Sequence, residues 1–236
     1  MNSHDQPSAP APDSESLSEP VPMAADEIDR LAMRAVPRQR RSIARRQAIL
    51  DATLEMLAEE GMAGLSTSSI AVRAGVPVAS VYAYFPNKFS IVAELGRQAM
   101  ADVDGQLEQV LLAGTQGVNW EDSLDATISV VLAGYRSVRG RRHLFNAMRN
   151  NEMLLEVQVQ SDLRMIEVLQ MALITLRPDI TAPQVEAIAS TVVHSFTALQ
   201  HDAVTCEDDA KLPFLVAEWR KIIWSYLLQY LGNDAV

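Results

Sequence analysis

Apolar residues recur along this chain every three or four positions and almost nowhere at every second one. That is the period of amphipathic helices, not of strands. One set, Ile49, Ala52, Thr53, Leu54, Met56 and Leu57, predicts a helix from about Ser42 to Glu60, ended by Gly61 and Gly64. A longer helix is predicted behind Asn87, whose side chain can cap it, burying Phe89, Val92, Gly96, Met100, Val103, Leu107 and Val110. Past a loop at 115–120, helices are predicted at about 121–139, 143–150 and 152–176. The last shows an apolar stripe at Leu155, Val159, Leu163, Ile166, Leu169, Leu173 and Leu176. Arg177-Pro178 and Ala182-Pro183 punctuate the next loop, and two closing helices follow at about 183–204 and 212–231. No strand pattern or repeat interrupts the series, so the chain is predicted to be all-α.

Between the first two long helices the pattern shortens. Ser66 to Lys88, STSSIAVRAGVPVASVYAYFPNK, parses as two short helices around a tight turn. Ser66 or Thr67 can cap the first, Gly75 suits its end, Pro77 suits the start of the second, and Pro86 stops it. Ile70, Ala71, Ala74, Val76, Val81 and Phe85 are expected to face inward. Val78, Ala79, Ser80, Tyr82 and Tyr84 are left on or near the outside. That face is small, uncharged and partly aromatic, which suits approach to a groove better than bulk water. Two helices at this spacing form a helix-turn-helix, whose second helix enters the DNA major groove. An αα-corner of an ordinary helical protein has the same spacing.

The stretch Ile49 to Lys88 also resembles the N-terminal domain of the tetR (tetracycline repressor-like) transcriptional regulators. The likeness lies in the IL-A-L-G opening helix, the T-x-x-IA-x-AGV second helix and the S-V-Y-x-Y-F-x-NK close. Many members carry Ser or Thr where Pro77 stands, so a capping side chain and any phosphate contact from it are missing here. The resemblance implies a three-helix DNA-binding domain followed by a larger helical ligand-binding and dimerisation domain. The chain divides on this reading into an acidic, Pro-rich disordered tail at 1–37, a DNA-binding domain at 38–88 and an effector-binding and dimerisation domain at 89–236. The implied function is a homodimeric repressor on a palindromic operator in double-stranded DNA, released by a small-molecule effector. The alternatives are a DNA-binding regulator without a ligand, and a helical metal- or ligand-binding protein with no DNA role.

Charge adds to this picture. The net charge of −10 looks wrong for a DNA binder, but its distribution is uneven. Residues 1–37 carry two Arg and seven acids, net −5, and residues 89–236 carry net −8. Residues 38–88 carry seven basic residues against four acids, net +3. A positive segment on an acidic chain orients the protein on a phosphate backbone. Arg34, Arg38, Arg40, Arg41, Arg45 and Arg46 come with no acid among them. They form either a basic arm along DNA or the solvated start of a helix. Arg45 and Arg46, which lead into the first helix, are the better phosphate candidates. Thr67, Ser80, Tyr84 and Lys88 are expected to position phosphates, Ser68 and Tyr82 to make polar base contacts, and Val78 and Ala79 to touch thymine methyls.

The rest of the chain offers other chemistry. Met100, Trp120, Tyr135, Phe145, Met148, Met153, Met165 and Met171 are candidate walls of an effector pocket, because methionine repacks around varied apolar ligands. No buried charge stands out there to set a ligand's polarity. Val185, Ile188, Val192, Phe196 and Leu199, with Trp219, Ile223 and Tyr226, are candidates for a dimer face. A small-residue stripe, Ala187, Thr191, Ser195 and Ala198, runs beside the first set. His194, His201 and Asp202 could share a helix face and hold a metal, but such histidines are more often hydrogen-bonded core groups. Phosphate-loop, dinucleotide-binding, nucleophile-elbow and zinc-protease motifs are absent from the sequence. No catalytic residue, cofactor or metal is expected. Cys206 is the only cysteine, which suits a reducing compartment. No apolar run reaches membrane-spanning length and no secretory leader is apparent, so a cytoplasmic location is expected.

Overall fold

The computed structural model describes residues 40–117, 119–136 and 140–231, and among them helices alone form the regular structure. In chain order these are α1 (Arg40–Gly64), α2 (Thr67–Arg73), α3 (Val78–Tyr84), α4 (Lys88–Gly114), α5 (Trp120–Arg136), α6 (Arg141–Arg149), α7 (Glu152–Leu176), α8 (Ala182–Thr205) and α9 (Leu212–Leu231). The tail expected at 1–37, in which the sequence of residues 25–35 also suits a short helix, and with it Arg34 and Arg38, lie outside the described residues, as does the side chain of Arg40.

Local chemistry accounts for the ends of these helices. Ser66 and Ser69 form a reciprocal capping box at α2, each hydroxyl accepting the other's backbone N–H at 3.0 Å. Asn87 does the same with Ser90 at α4, its Oδ1 accepting Ser90 N–H at 3.0 Å. Thr181 and Gln184 form a third box at α8. Each satisfies donors that the first helical turn leaves orphaned. Pro77 is the N-cap of α3 rather than its first residue, and contributes no side-chain hydrogen bond. α1 breaks its helical geometry at Gly61, near its expected end.

Helices α1–α3 make a small head, and α4–α9 make the body. α4 is the body's central element, packing on α5, α6 and α7, while α8 packs on α7 and α9. Head and body meet where α1 lies against α4 and α6. Arg46 of α1 pairs there with Glu94 of α4. Gly140, at the N-cap of α6, has φ +87°, and a Cβ there would lie 2.8 Å from the carbonyl oxygen of Leu54. Only glycine suits both that backbone and that approach.

α7 departs from its expected orientation. Ile166, Leu169 and Leu173 are buried, but Leu155, Val159 and Leu163 are 40, 46 and 49 % exposed. The first half of the helix is apolar on both sides, so its period does not select the inward one. In that half the inward side carries Leu154 and Val157 together with Gln158, Ser161 and Asp162.

Candidate functional site

The outward surface of the head is built from α2, the turn and α3. Gly75 ends α2 with φ +65°, and the N–H of Val76 returns to the carbonyl of Ala71 at 3.0 Å. That left-handed turn sets α3 across α2, with Ile70, Ala71, Val81 and Phe85 fully buried between them and the rest of the head. Ala74 and Val76 are half-buried as expected. Ser68, Val78, Ala79 and Tyr82 are exposed on the far side, and Thr67 and Ser80 are half-buried. Thr67 Oγ1 donates to the Tyr82 hydroxyl oxygen at 2.9 Å, tying α2 to α3 across this face.

Three expected phosphate contacts have other engagements. Tyr84 is only 8 % exposed and packs edge-on to Phe85. It follows Val81 by three positions, so α3 carries it onto the buried seam. Arg46 is part-buried in its pair with Glu94, whereas Arg45 is exposed. Lys88 Nζ donates to the carbonyls of Met62 and Leu65 at 3.0 and 3.1 Å, which closes the end of α1. Two of its three donors are thus used within the head.

Inside the body lies a cavity of about 90 Å³, bounded by α4, α5, α7, α8 and α9. Of the expected pocket residues, Trp120, Tyr135 and Met165 line it. Met100, Phe145 and Met148 are buried in packing elsewhere in the body, Met153 is half-buried away from the cavity, and Met171 is 55 % exposed. Phe145 still touches a wall residue, its ring 4.9 Å from that of Tyr135. Residue type alone did not distinguish gap-filling methionines from lining ones.

The expectation that no buried charge marks this region is overturned. Asp104 of α4 and Asp162 of α7 both line the cavity, with Gln158, Ser161, Thr197 and Gln200. Ser161 Oγ lies 3.0 and 2.9 Å from the two oxygens of Asp104 and donates to that carboxylate. Gln158 Nε2 and Thr197 Oγ1 donate to Asp162 Oδ1 at 2.8 and 3.0 Å. Burial pushes the Asp104 carboxyl up to about 6, against the opposing pull of Ser161 and Arg164. Burial likewise raises Asp162, opposed by Gln158, Thr197, His194 and Arg149. The sequence signal was available but weak: Gln158, Ser161 and Asp162 fall on one side of a helix that is otherwise largely apolar.

The expected dimer residues are mostly spent within one chain. Val185, Ile188, Val192, Trp219 and Ile223 are all buried, and Phe196 stacks on Trp219 at a ring distance of 4.5 Å. Leu199 and Tyr226 are half-buried. The outer surface of the pair carries Ala187, Thr191, Ala198, Phe214 and Ile222 instead. α8 buries its larger side chains against its own core first, which leaves small residues outside, while α9, apolar nearly all round, leaves Phe214 and Ile222 exposed. Among the described residues no three His, Cys, Asp or Glu side chains gather as a metal site. His201 lies beside the Phe145 ring, and Cys206 donates from Sγ to the Asp208 carbonyl. No helix among those residues is long and apolar enough to cross a membrane.

Comparison with known proteins matches both parts. Residues 49–95 match the model for bacterial regulatory proteins of the tetR family, and residues 119–227 match the tetracyclin repressor-like C-terminal domain. The HTH-type transcriptional repressor KstR of Mycolicibacterium smegmatis (strain ATCC 700084 / mc(2)155) is 38% identical over 71 residues. That match spans 30% of this chain and 34% of KstR, about a third of the relative's length. A TetR-family transcriptional regulator from Streptomyces coelicolor superposes with a TM-score of 0.58 at 25% identity, over 79% of this chain and 99% of that one. SmeT in complex with triclosan gives a TM-score of 0.61 at 19% identity, over 82% of this chain and 94% of that one. SmeT is the repressor of the Stenotrophomonas maltophilia multidrug efflux pump SmeDEF. At that identity the likeness is one of fold. With the head and most of the body matched by the two parts of one family, the chain belongs to the tetR family of bacterial regulatory proteins.

Proposed function

We propose that the protein is a homodimeric transcriptional repressor that reads a palindromic operator and releases it when a small molecule enters the body. The observation that carries the DNA part is the outer face of α2 and α3: exposed, neutral and small-featured, on the one segment of net positive charge. Residues 38–88 serve as the DNA-binding domain and residues 89–236 as the effector and dimer domain. Ser68 and Tyr82 make polar base contacts, Val78 and Ala79 contact thymine methyls, and Arg45, Thr67 and Ser80 hold phosphates. Tyr84, Arg46 and Lys88 support this surface from behind. The dimer forms through the outer face of α8 and α9, around Ala187, Thr191, Ala198, Phe214 and Ile222, where small side chains allow close approach. Two recognition helices related by a two-fold axis read inverted half-sites roughly 34–36 Å apart. Such a regulator works beside the chromosome, in the cytoplasm, and performs no catalytic step.

The effector part rests on the cavity and on α4, whose first turn abuts the head and whose middle lines the cavity through Asp104. A ligand that shifts α4 changes the spacing of the paired recognition helices, and a coupling of about 2.7 kcal/mol is worth a hundredfold in DNA affinity. SmeT, with the same fold, forms a complex with the small molecule triclosan. Footprinting on genomic fragments, with sizing of the free protein, tests the reading. The expected result is protection of inverted repeats by a dimer. A monomer protecting one asymmetric half-site overturns it.

A further inference from the structure

The walls of the cavity also bear on which molecules fit. α7 passes it with a mixed face: Leu154, Val157 and Met165 are buried, Gln158, Ser161 and Asp162 stand at the cavity beside Met165, and Leu155, Val159 and Leu163 face out. Turning the helix to bury the three outer apolar side chains would expose Leu154 and Val157 instead, so apolar burial does not by itself account for polar groups at the cavity. Across from it stands Asp104, 6 % exposed. An ionised carboxylate has about four acceptor positions. Asp104 receives only the Ser161 hydroxyl, and Asp162 receives hydrogen bonds on Oδ1 alone. Both therefore keep acceptor capacity at the cavity wall. Among the described residues neither is ion-paired; Arg164, whose charge acts on Asp104, pairs with Glu108, and His194 and Arg149 act on Asp162 without pairing with it.

Local hydroxyls do not answer this demand. Thr127 donates to the carbonyl of Ser123, and Ser123 to that of Asn119. Apart from Tyr135 and Gln200 the remaining walls are apolar, including Leu107, Leu124, Leu169 and Phe196. Trp120, buried at the rim of the same cavity, has an indole N–H with no partner. A buried charge without a counterion is costly unless something completes it.

We propose that the effector is an amphipathic amine, its protonated nitrogen seated between Asp104 and Asp162 and its apolar body lying along Leu107, Met165 and Phe196. This deepens the effector reading above and rests on it. The ammonium donates to the free carboxylate lone pairs, and the acceptor-rich wall selects against carboxylates of the same size. The indole N–H of Trp120 offers one donor to a polar group elsewhere on the ligand.

The test uses three probes of one chain length, octylammonium, 1-octanol and octanoate, titrated calorimetrically into the full-length protein. Octylammonium is expected to bind at least about tenfold more tightly than octanol, with octanoate weakest; tenfold corresponds to about 1.4 kcal/mol. Asp104→Asn with Asp162→Asn is expected to remove that preference while changing octanol affinity less than about threefold. Each single substitution gives a smaller change in the same direction, and the wild-type series needs no variant at all. Octanol or octanoate binding as tightly as octylammonium, or a preference unchanged in the double variant, overturns the amine and leaves the cavity as an effector site. If none of the three probes binds, both the amine and the effector reading fall. Operator binding, followed separately by gel shift, reports on the DNA reading independently of either result.

Discussion

The head and the body place their polar groups in opposite ways. In the head, polar side chains stand mostly at helix ends or outside, as in the Ser66–Ser69 box and the Thr67–Tyr82 bond, the buried Thr53 hydroxyl is satisfied by the Ile49 carbonyl of its own helix, and the seam between α2 and α3 is apolar. In the body, two carboxylates are drawn inward around a cavity while leucine and valine on the same helix face out. A surface that must fit a regular groove is best held by a dry, rigid core beneath it. A site for a small molecule needs its polar groups inside, where the stability they cost becomes selectivity for a ligand.

The sharpest break between the regions should come from Phe85→Ala. It empties a fully buried site in the head, and such truncations cost about 3–5 kcal/mol. Operator binding should be lost while the calorimetric binding of octylammonium persists. Loss of both together in denaturation and titration would make head and body one cooperative unit.

Gly140→Ala addresses the junction itself. The left-handed backbone alone costs about 1–3 kcal/mol for a residue with a Cβ, and that Cβ also meets the Leu54 carbonyl. Stability should fall by at least that much in urea, and operator affinity should fall further than stability explains, because the head is pushed off α6. Full operator affinity in the folded variant would remove α6 from any route between the regions.

Lys88→Ala should lower stability by about 2 kcal/mol, the loss of charge-assisted bonds to the Met62 and Leu65 carbonyls. The salt dependence of operator binding should change by well under one unit of slope, since the ammonium serves the head first. A full unit lost would restore Lys88 as a phosphate contact.

The smallest effect, and opposite in sign, belongs to Asp104→Asn. The folded carboxyl titrates near 6 instead of the unfolded 3.8. Between those values the folded chain holds a proton that the unfolded chain has released, so stability falls as pH rises through the window. The groups acting on Asp104 are Ser161, Asp162 and Arg164 of α7, and its charge in turn acts on Tyr135 of α5. Asparagine keeps an acceptor for Ser161 and cannot ionise. The unliganded variant should therefore be more stable than wild type above pH 6, by about 1 kcal/mol, and no more stable below pH 4. Melting curves across that range check it. A variant less stable at pH 8 would mean that the charge is already compensated without ligand.

The nine helices of the described residues and the helix-turn-helix were legible in the sequence because their signals are local. A capping box spans four residues and so does the glycine turn, and the Val81–Phe85 spacing follows from the pitch of one helix. Even there Tyr84 was misplaced, since a seven-residue helix is too short for its period to separate the edge of a face from its centre. Lys88 looked like a free cation because the carbonyls it meets lie more than twenty residues earlier in the chain.

The cavity and the outer face of the body were decided only by tertiary structure. Five helices bound the cavity, and what each turns toward it depends on how all of them rotate against one another. α7 shows the difficulty most plainly: with apolar residues on both sides of its first half, hydrophobicity alone favours no rotation. Asp104 and Asp162 lie 58 positions apart in the chain, and each reads alone as a solvated acid. By itself the sequence determined where the helices lie, how they end and which short segment forms the helix-turn-helix, because short-range geometry and capping set all three. Packing decided which carboxylates are buried and which apolar side chains are left outside, because burial belongs to the assembled set of helices and to no one of them.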